Sequence, residues 1–357
     1  AQHVVINMLE AQNKGSILDS SVDAIAHKLI DSEVNPTVEM PEDIIGHQFG
    51  SWQVESHLAQ GGMGQVYIAK RFDGQYEKQV ALKLIKSGQY TAHTKQKFQE
   101  EMQVLARLEH PNIARMIDGG VNDEGMSYIA LELVEGQSII DYANEQQLSH
   151  YGRLKLMLQV IEAVEFAHQS LVIHGDIKPD NILVNQSGQV KLVDFGISRS
   201  LLDQNDSSYL VRYTPGFASP EQQQGLALTT GSDVFSLSAV VLALCGIDVQ
   251  VGSEEINRSH WLAQLTDKAS ELESFGVSGK KLKADLNREL GSVLSRGLRK
   301  DVKGRYKSVT DLKSDLIKVL SHEAVQSHST SKIYSAKKNI FKYKLVYSIA
   351  RMGVLGM

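Results

Sequence analysis

Two regimes of hydrophobic spacing divide the chain. Between about residues 48 and 134, apolar and polar residues alternate over short runs: "WQVESHLAQ", "GQVYIAKR", "KQVALKLIK", "ARMIDGGV" and "MSYIALELV". That is the period of strands with one buried face. One amphipathic stretch interrupts them. In "KQKFQEEMQVLARLEH", Phe98, Met102, Leu105 and Leu108 recur at three- and four-residue steps, which predicts a helix. "HPNI" stops it, because the residue before a proline is pushed out of helical conformation. From about 138 to 320 the spacing becomes helical, in "YGRLKLMLQVIEAVEFAHQSL", "SDVFSLSAVVLALCG", "LNRELGSVLSRGLRK" and "VTDLKSDLIKVLSH". A small strand-rich unit followed by a larger helical one is an α+β arrangement, with a cleft between the two where ligands bind.

The flanks read differently. Within residues 1–47, Leu18, Val22, Ile25 and Leu29 share a helical face, and "VNPTVEMPED" then forms a linker because its two prolines block continuation. Residues 321–357 are read as a basic C-terminal tail. From 324 onward it has no acidic residue but carries Lys332, Lys337, Lys338, Lys342, Lys344 and Arg351. It is either an ordinary tail or terminal helix against the domain, or a segment that contacts a membrane surface.

Bulk properties narrow the classes. The 357 residues suffice for two or three compact units, and 42% hydrophobic with 22% charged residues is ordinary for a globular chain. A net charge of −5 argues against nucleic acid as a partner. The single cysteine, Cys245, excludes an internal disulfide framework and suits a reducing compartment. The twelve histidines show no zinc-ligand spacing. With no signal-peptide pattern at the N-terminus and no run of ~20 apolar residues, a cytoplasmic chain is expected. A fragment lying at the inner face of a membrane fits the same observations.

Candidate chemistry begins at "LAQGGMGQVYIAK". Gly61, Gly62 and Gly64 lie between two strand-like segments, where backbone N–H groups can approach phosphates without side-chain obstruction. A plain glycine hairpin needs the same residues. No Lys-Ser or Lys-Thr follows, which argues against a P-loop. In "VALKLIK", Lys83 sits in an apolar strand and, if it points inward, needs an anionic partner. Glu101, near the face of Phe98 and Leu105, is the candidate. "VIHGDIKPDNILV" then crowds Asp176, Lys178 and Asn181 too closely for one helix face, so a loop must display them. Such a loop could accept a hydroxyl proton, neutralise a phosphate and hold a metal. Thirteen residues beyond Asn181, "KLVDFGIS" places Asp194 at a strand end, a second hard oxygen ligand suited to Mg²⁺.

In order and spacing these segments resemble the eukaryotic-like Ser/Thr protein kinases, especially the bacterial branch with a "GGMGxVY" loop. The resemblance rests on "GGMGQVY", "VALK", the Glu101 helix with "HPNI", "HGDIKPDN", "DFG", "TPGFASPEQ", "SDVFSLS" and "RKDVKGRYKSV", and covers about residues 48–320. It implies a two-lobed protein-kinase-like fold, with the N-lobe at 48–134 and the C-lobe at 138–320. It also implies an Mg²⁺- and ATP-dependent enzyme that phosphorylates Ser or Thr of protein substrates, itself included through self-association. Lys83 would hold the α- and β-phosphates and pair with Glu101. Asp176 would be the base, Lys178 would steady the phosphoryl group, and Asn181 and Asp194 would hold Mg²⁺. Leu131 would be the gatekeeper, with Glu132 and Val134 giving backbone hydrogen bonds to adenine. Leu58, Val66, Ala81 and Leu183 would sandwich the ring. Glu221 and Arg305 would form a structural ion pair, and Asp233 would brace the catalytic loop.

Four departures from the family pattern stand out: Ala59, Gly175, Ser219 and Ser238. Gly175 replaces an arginine that, in the family, clamps a phosphorylated activation-loop residue. The resemblance therefore implies different switching, with Ser207, Ser208, Tyr209 and Thr214 still phosphorylatable. The alternative reading is a nucleotide-binding pseudokinase scaffold.

Overall fold

The computed structural model describes residues 44–61, 64–85, 92–195, 216–248 and 258–327. The N-terminal helix and linker expected before residue 44, and most of the basic tail, lie outside them.

The alternating segments form a six-stranded antiparallel sheet from β1 (Gln48–Phe49), β2 (Trp52–Gly61), β3 (Gly64–Arg71), β4 (Gln79–Ile85), β5 (Met116–Val121) and β6 (Ser127–Glu132). Their order is β1-β2-β3-β4-β6-β5. Period-two alternation gives each face a separate job. Val80, Leu82 and Leu84 point to one side, into a core with Phe49, Trp52, Val54, Tyr67 and Ala130. Ala81, Lys83 and Ile85 therefore face the other side, where α1 (Ala92–Ala106) packs with Phe98 and Leu105 buried. Trp52 closes the first core by donating its indole N–H to Asp118 at 2.8 Å.

The "HPNI" segment joins the lobes. Ala114 N–H donates to the Leu192 carbonyl and Leu192 N–H to that of Asn112. The Asn112 amide reaches the Val190 carbonyl at 2.8 Å. These bonds carry the exit of α1 onto a small second sheet, β7 (Gln137–Ser138), β8 (Ile182–Val184) and β9 (Val190–Leu192), ordered β7-β8-β9.

The larger lobe is helical: α2 (Ile139–Glu145), α3 (His150–Gln169), α4 (Pro220–Gln223), α5 (Thr230–Leu244), α6 (Arg258–Asp267), α7 (Ala269–Ser274), α8 (Gly279–Leu286), α9 (Glu289–Gly297) and α10 (Val309–Leu320). Serine caps start several of them. Ser149 accepts from Gly152 N–H, and Ser308 from Asp311 N–H. Helix α5 is buried almost all round, as its near-continuous apolar run requires. Ser238, one of the four departures, lies fully buried there and donates to the Val234 carbonyl at 2.8 Å. Its space comes from Gly297, where a Cβ would meet the Ser238 Oγ at 2.0 Å. The chain stays docked past α10. Buried Asp315 accepts from Tyr306 O–H and from the N–H groups of Gln326 and Ser327, and Val325 is buried. The first residues of the segment read as a basic tail are thus held against the lobe as far as Ser327.

Candidate active site

Strand β4 places Lys83 on the face opposite the small-lobe core, with only 5% of the residue exposed. Its ammonium meets the Asp194 carboxylate at 2.9 Å. A buried lysine needs such a partner, and here that partner is Asp194. The side chain of Glu101, expected to pair with Lys83, lies outside what the structure describes.

Asp194 follows β9 in an unusual backbone state, with φ +58°. A non-glycine residue in the left-handed region signals local strain of the kind found at working sites. Phe195 beside it is buried and stacks on the His174 ring at 4.5 Å.

The loop 174–181 brings its polar groups together. Lys178 Nζ lies 3.1 Å from Asp176 Oδ2. Asn181 donates its amide to both the carbonyl and Oδ2 of Asp176, at 2.7 and 3.0 Å. A short 3-10 turn, Pro179–Asn181, sets this geometry. The Asn181 carbonyl accepts from Val193 N–H at 2.9 Å, tying the loop to the residue before Asp194.

Beneath the loop, fully buried Asp233 accepts from His174 N–H, Gly175 N–H and the His168 ring, at 2.9, 2.9 and 2.7 Å. His174 Nε2 lies 3.1 Å from the Val193 carbonyl and must donate to it, which leaves Nδ1 to accept from Asp176 N–H at 3.2 Å. Burial pushes the His174 pKa down and keeps the ring neutral, although Asp233 and Asp176 pull the other way.

Farther from the cleft, Glu221 and Arg305 form a two-pronged ion pair with both bonds at 2.8 Å. Burial alone would raise the Glu221 pKa, but hydrogen bonds from Arg305 and Ser232 outweigh it and carry the carboxyl down to about 2. Ser219, another departure, is fully buried and caps α4 by accepting from Gln222 N–H.

The other site residues fall where their strands put them. Ala59 pairs with Val66 across the β2–β3 hairpin, next to Gly61 opposite Gly64, while Gly62 lies outside the described residues. Leu58 is exposed. Ala81 is flanked by Ile68 and Leu131 on the neighbouring strands. Leu131 also lines a small pocket with Lys83, Leu105, Ile129, Asp194 and Phe195. Leu183 lies in β8, beside Ser138 of β7. Glu132 N–H is committed to the Arg115 carbonyl at 2.8 Å, and its carboxylate holds Lys191 at 2.9 Å. A backbone contact from Glu132 to a base would therefore fall to its carbonyl. A cavity of about 520 Å³, larger than that pocket, is lined by Lys78, His110, Arg115 and Lys191 and touches none of the loop residues.

Whether these residues suit a divalent cation can be tested on the donor set. The Asn181 amide nitrogen is used up on Asp176, which leaves its oxygen as the atom to offer a cation, and Asp194 gives Oδ1 to Lys83, with no partner on Oδ2 among the described residues. Among the described residues no group of three or more His, Cys, Asp or Glu side chains could cage a metal. Two hard oxygens without a cage fit Mg²⁺, which keeps its waters and takes its remaining ligands from phosphates.

Comparison with known proteins agrees with this architecture. Residues 52–317 match the protein kinase domain family. The chain belongs to the protein kinase family. Its curated relatives place it in the bacterial-type Ser/Thr branch. The Ser/Thr protein kinase PrkC of Bacillus subtilis is 28% identical over 276 residues, covering 75% of this chain and 40% of that protein. PknB of Mycolicibacterium smegmatis is 28% identical over 287 residues, covering 78% and 44%. The chain thus spans about two fifths of the length of these relatives. The PknI kinase domain of Mycobacterium tuberculosis shares the fold, with a TM-score of 0.55 at 23% identity, covering 77% of this chain and 98% of that one.

Sequence reasoning missed three kinase-core features. His168 is a third donor to Asp233, Lys191 holds Glu132, and Gln222 touches the 174–181 loop. Each partner lies 47 to 65 residues away in sequence, so no local spacing could reveal it. No described helix is long and apolar enough to cross a membrane.

Proposed function

We propose that this chain transfers the γ-phosphoryl group of ATP, bound with Mg²⁺, to Ser or Thr hydroxyls of protein substrates, including those of a second copy of itself. The observation that carries the reading is the Asp176 carboxylate, flanked by Lys178 and Asn181 and tied through Val193 to the Lys83–Asp194 pair.

In this reading Asp176 accepts the proton of the attacking hydroxyl as its oxygen bonds to the γ-phosphorus and the bond to ADP breaks. Lys178, already beside Asp176, meets the charge on the transferred group. Lys83, held by Asp194, reaches the α- and β-phosphates. Asn181 and Asp194 would hold Mg²⁺, which when bound neutralises charge shared by the β- and γ-phosphates. The glycines of the turn, Gly61, Gly62 and Gly64, would leave backbone N–H groups free of side-chain obstruction for the phosphates. The Ala81, Val66, Leu58 and Leu183 side chains offer the base an apolar sandwich, with Leu131 behind it and Glu132 and Val134 along its edge. Glu101 pairing with Lys83 remains part of the proposal.

The scaffold alternative draws only on Gly175 and Ala59, and neither substitution removes a reacting group. The deciding experiment is incubation with Mg²⁺ and γ-labelled ATP beside an Asp176→Asn control, with phosphosites mapped. Label on Ser or Thr in the parent protein alone supports the kinase. No label, with ATP still bound, refutes it.

A further inference from the structure

Gly175 lies in the left-handed region at φ +72°. A glycine has no side chain to reach a neighbouring segment, so any tie from this position must run through its peptide groups. Two are made. Its N–H is held by Asp233 Oδ1 at 2.9 Å. Its carbonyl accepts the side-chain amide of Gln222 at 3.1 Å. That carbonyl belongs to the peptide linking Gly175 to Asp176, whose N–H donates to His174 Nδ1 at 3.2 Å. The peptide that carries Asp176 is therefore gripped at both ends, by His174 on its nitrogen and by Gln222 on its oxygen.

Gln222 suits that grip. It is only 3% exposed and sits in α4, the first helix after the 196–215 segment. Ser219 caps that helix, and Glu221, next to Gln222, is fixed by the buried pair with Arg305. A side chain on so anchored a turn has little freedom to lose on making its bond.

We infer that Gln222 is a positioning residue, setting the Asp176 carboxylate through the Gly175 carbonyl and coupling the catalytic loop to helix α4 by a neutral hydrogen bond. The inference rests on the phosphotransferase reading and specifies what holds its base. A residue acting this way alters the chemical step and leaves nucleotide affinity alone.

The test uses Gln222→Met, of similar length without the amide, and Gln222→Asn, whose amide is one methylene short. Both go into the full chain beside Asp176→Asn. Amide hydrogen exchange at residues 174–178 is followed together with kcat and the KM for ATP. Loss of a buried hydrogen bond should lower kcat about tenfold in Gln222→Met with KM for ATP within about twofold. The amide of Asp176 should exchange faster in both variants. Unchanged kcat with unchanged exchange overturns the inference, as does a loss confined to KM. If Gln222→Met fails to fold, Gln222→Asn decides by the same readouts. A parent protein that transfers no phosphoryl group at all sinks the kinase reading, whereas the exchange at Asp176 still reports on the grip.

Discussion

Asp176 and Asp233 flank the same short loop in opposite chemical states. Asp233 has 1% of its side chain exposed and receives three donors, two of them backbone N–H groups. Asp176 is 15% exposed and is touched at Oδ2 alone, by Lys178 and Asn181; among the described residues its Oδ1 has no partner. The saturated carboxylate can only brace, because its acceptor capacity is spent on fixing the backbone. The unsaturated one keeps an oxygen for an incoming proton. Glu221 belongs with Asp233: Arg305 and Ser232 fill both of its oxygens, and it lies away from the loop. Within one lobe, burial and hydrogen-bond saturation separate carboxylates that build from the one proposed as the base.

The sharpest way to break this comparison is at Asp176. Replacing it with Asn should lower phosphoryl transfer by roughly 10²–10⁴-fold, the range for a general base. The fold and ATP binding should persist, because little rests on its side chain. Steady-state kinetics beside a thermal melt checks both halves. A variant that kept full rate would remove Asp176 from the mechanism, and one that unfolded would place it with Asp233.

The braces should answer in stability. Glu221→Ala leaves the Arg305 guanidinium buried without its counter-charge, and should cost about 3–5 kcal/mol in denaturant unfolding. Replacing both partners with methionine should recover much of that loss, since no charge is then stranded. A double variant as unstable as the single one would show that the pair does more than balance itself.

How much of this was legible follows from where the partners lie. Lys83, Asp176, Lys178, Asn181 and Asp194 stand out as candidates in the sequence because strand period and short loops fix their spacing locally. The sequence left the direction of Lys83 open, since its flanks are apolar on both sides; the structure turns it away from Val80, Leu82 and Leu84. Its partner, Asp194, lies 111 residues away, beyond the reach of any periodicity. Helices α2 and α6–α8 gave weak signals, because they are short and, apart from the start of α2, rich in polar residues. Arg153 was invisible for another reason. It is buried on four carbonyls and one side-chain amide oxygen, with no carboxylate partner among the described residues, and a sequence offers no cue for carbonyls that a fold brings together.

The two kinds of brace also separate by pH. The Glu221 carboxyl is held at about 2 in the folded chain, below its ordinary 4.5. Its contribution is therefore complete above pH 4.5 and is lost as pH falls from there toward 2. The His174 ring is held below its ordinary 6.5 by burial. Neutral His174 costs nothing above that value, and stability falls as pH drops below 6.5 and the unfolded ring gains a proton that the folded one refuses. Urea midpoints from pH 8 to 3 should thus decline in two stages. Glu221→Gln should flatten the acid stage and leave the one below pH 6.5 in place. A decline confined to a single window would show that one of the two groups does not carry its assigned share.

The smallest effect is expected at Gly175, between the bracing and the reacting carboxylates. At φ +72° glycine takes the left-handed conformation freely, whereas a residue with a Cβ pays for it. Gly175→Ala should cost about 1–2 kcal/mol of stability. It keeps both backbone hydrogen bonds, to Asp233 and from Gln222, so transfer should fall by less than about tenfold, well short of removing the base. Denaturant unfolding and kcat on one preparation make the distinction. A stability loss with most of the rate retained would assign Gly175 to backbone geometry. A rate loss as deep as that of Asp176→Asn would mean that the left-handed turn itself sets the reacting oxygen, and that bracing and reaction meet at this one residue.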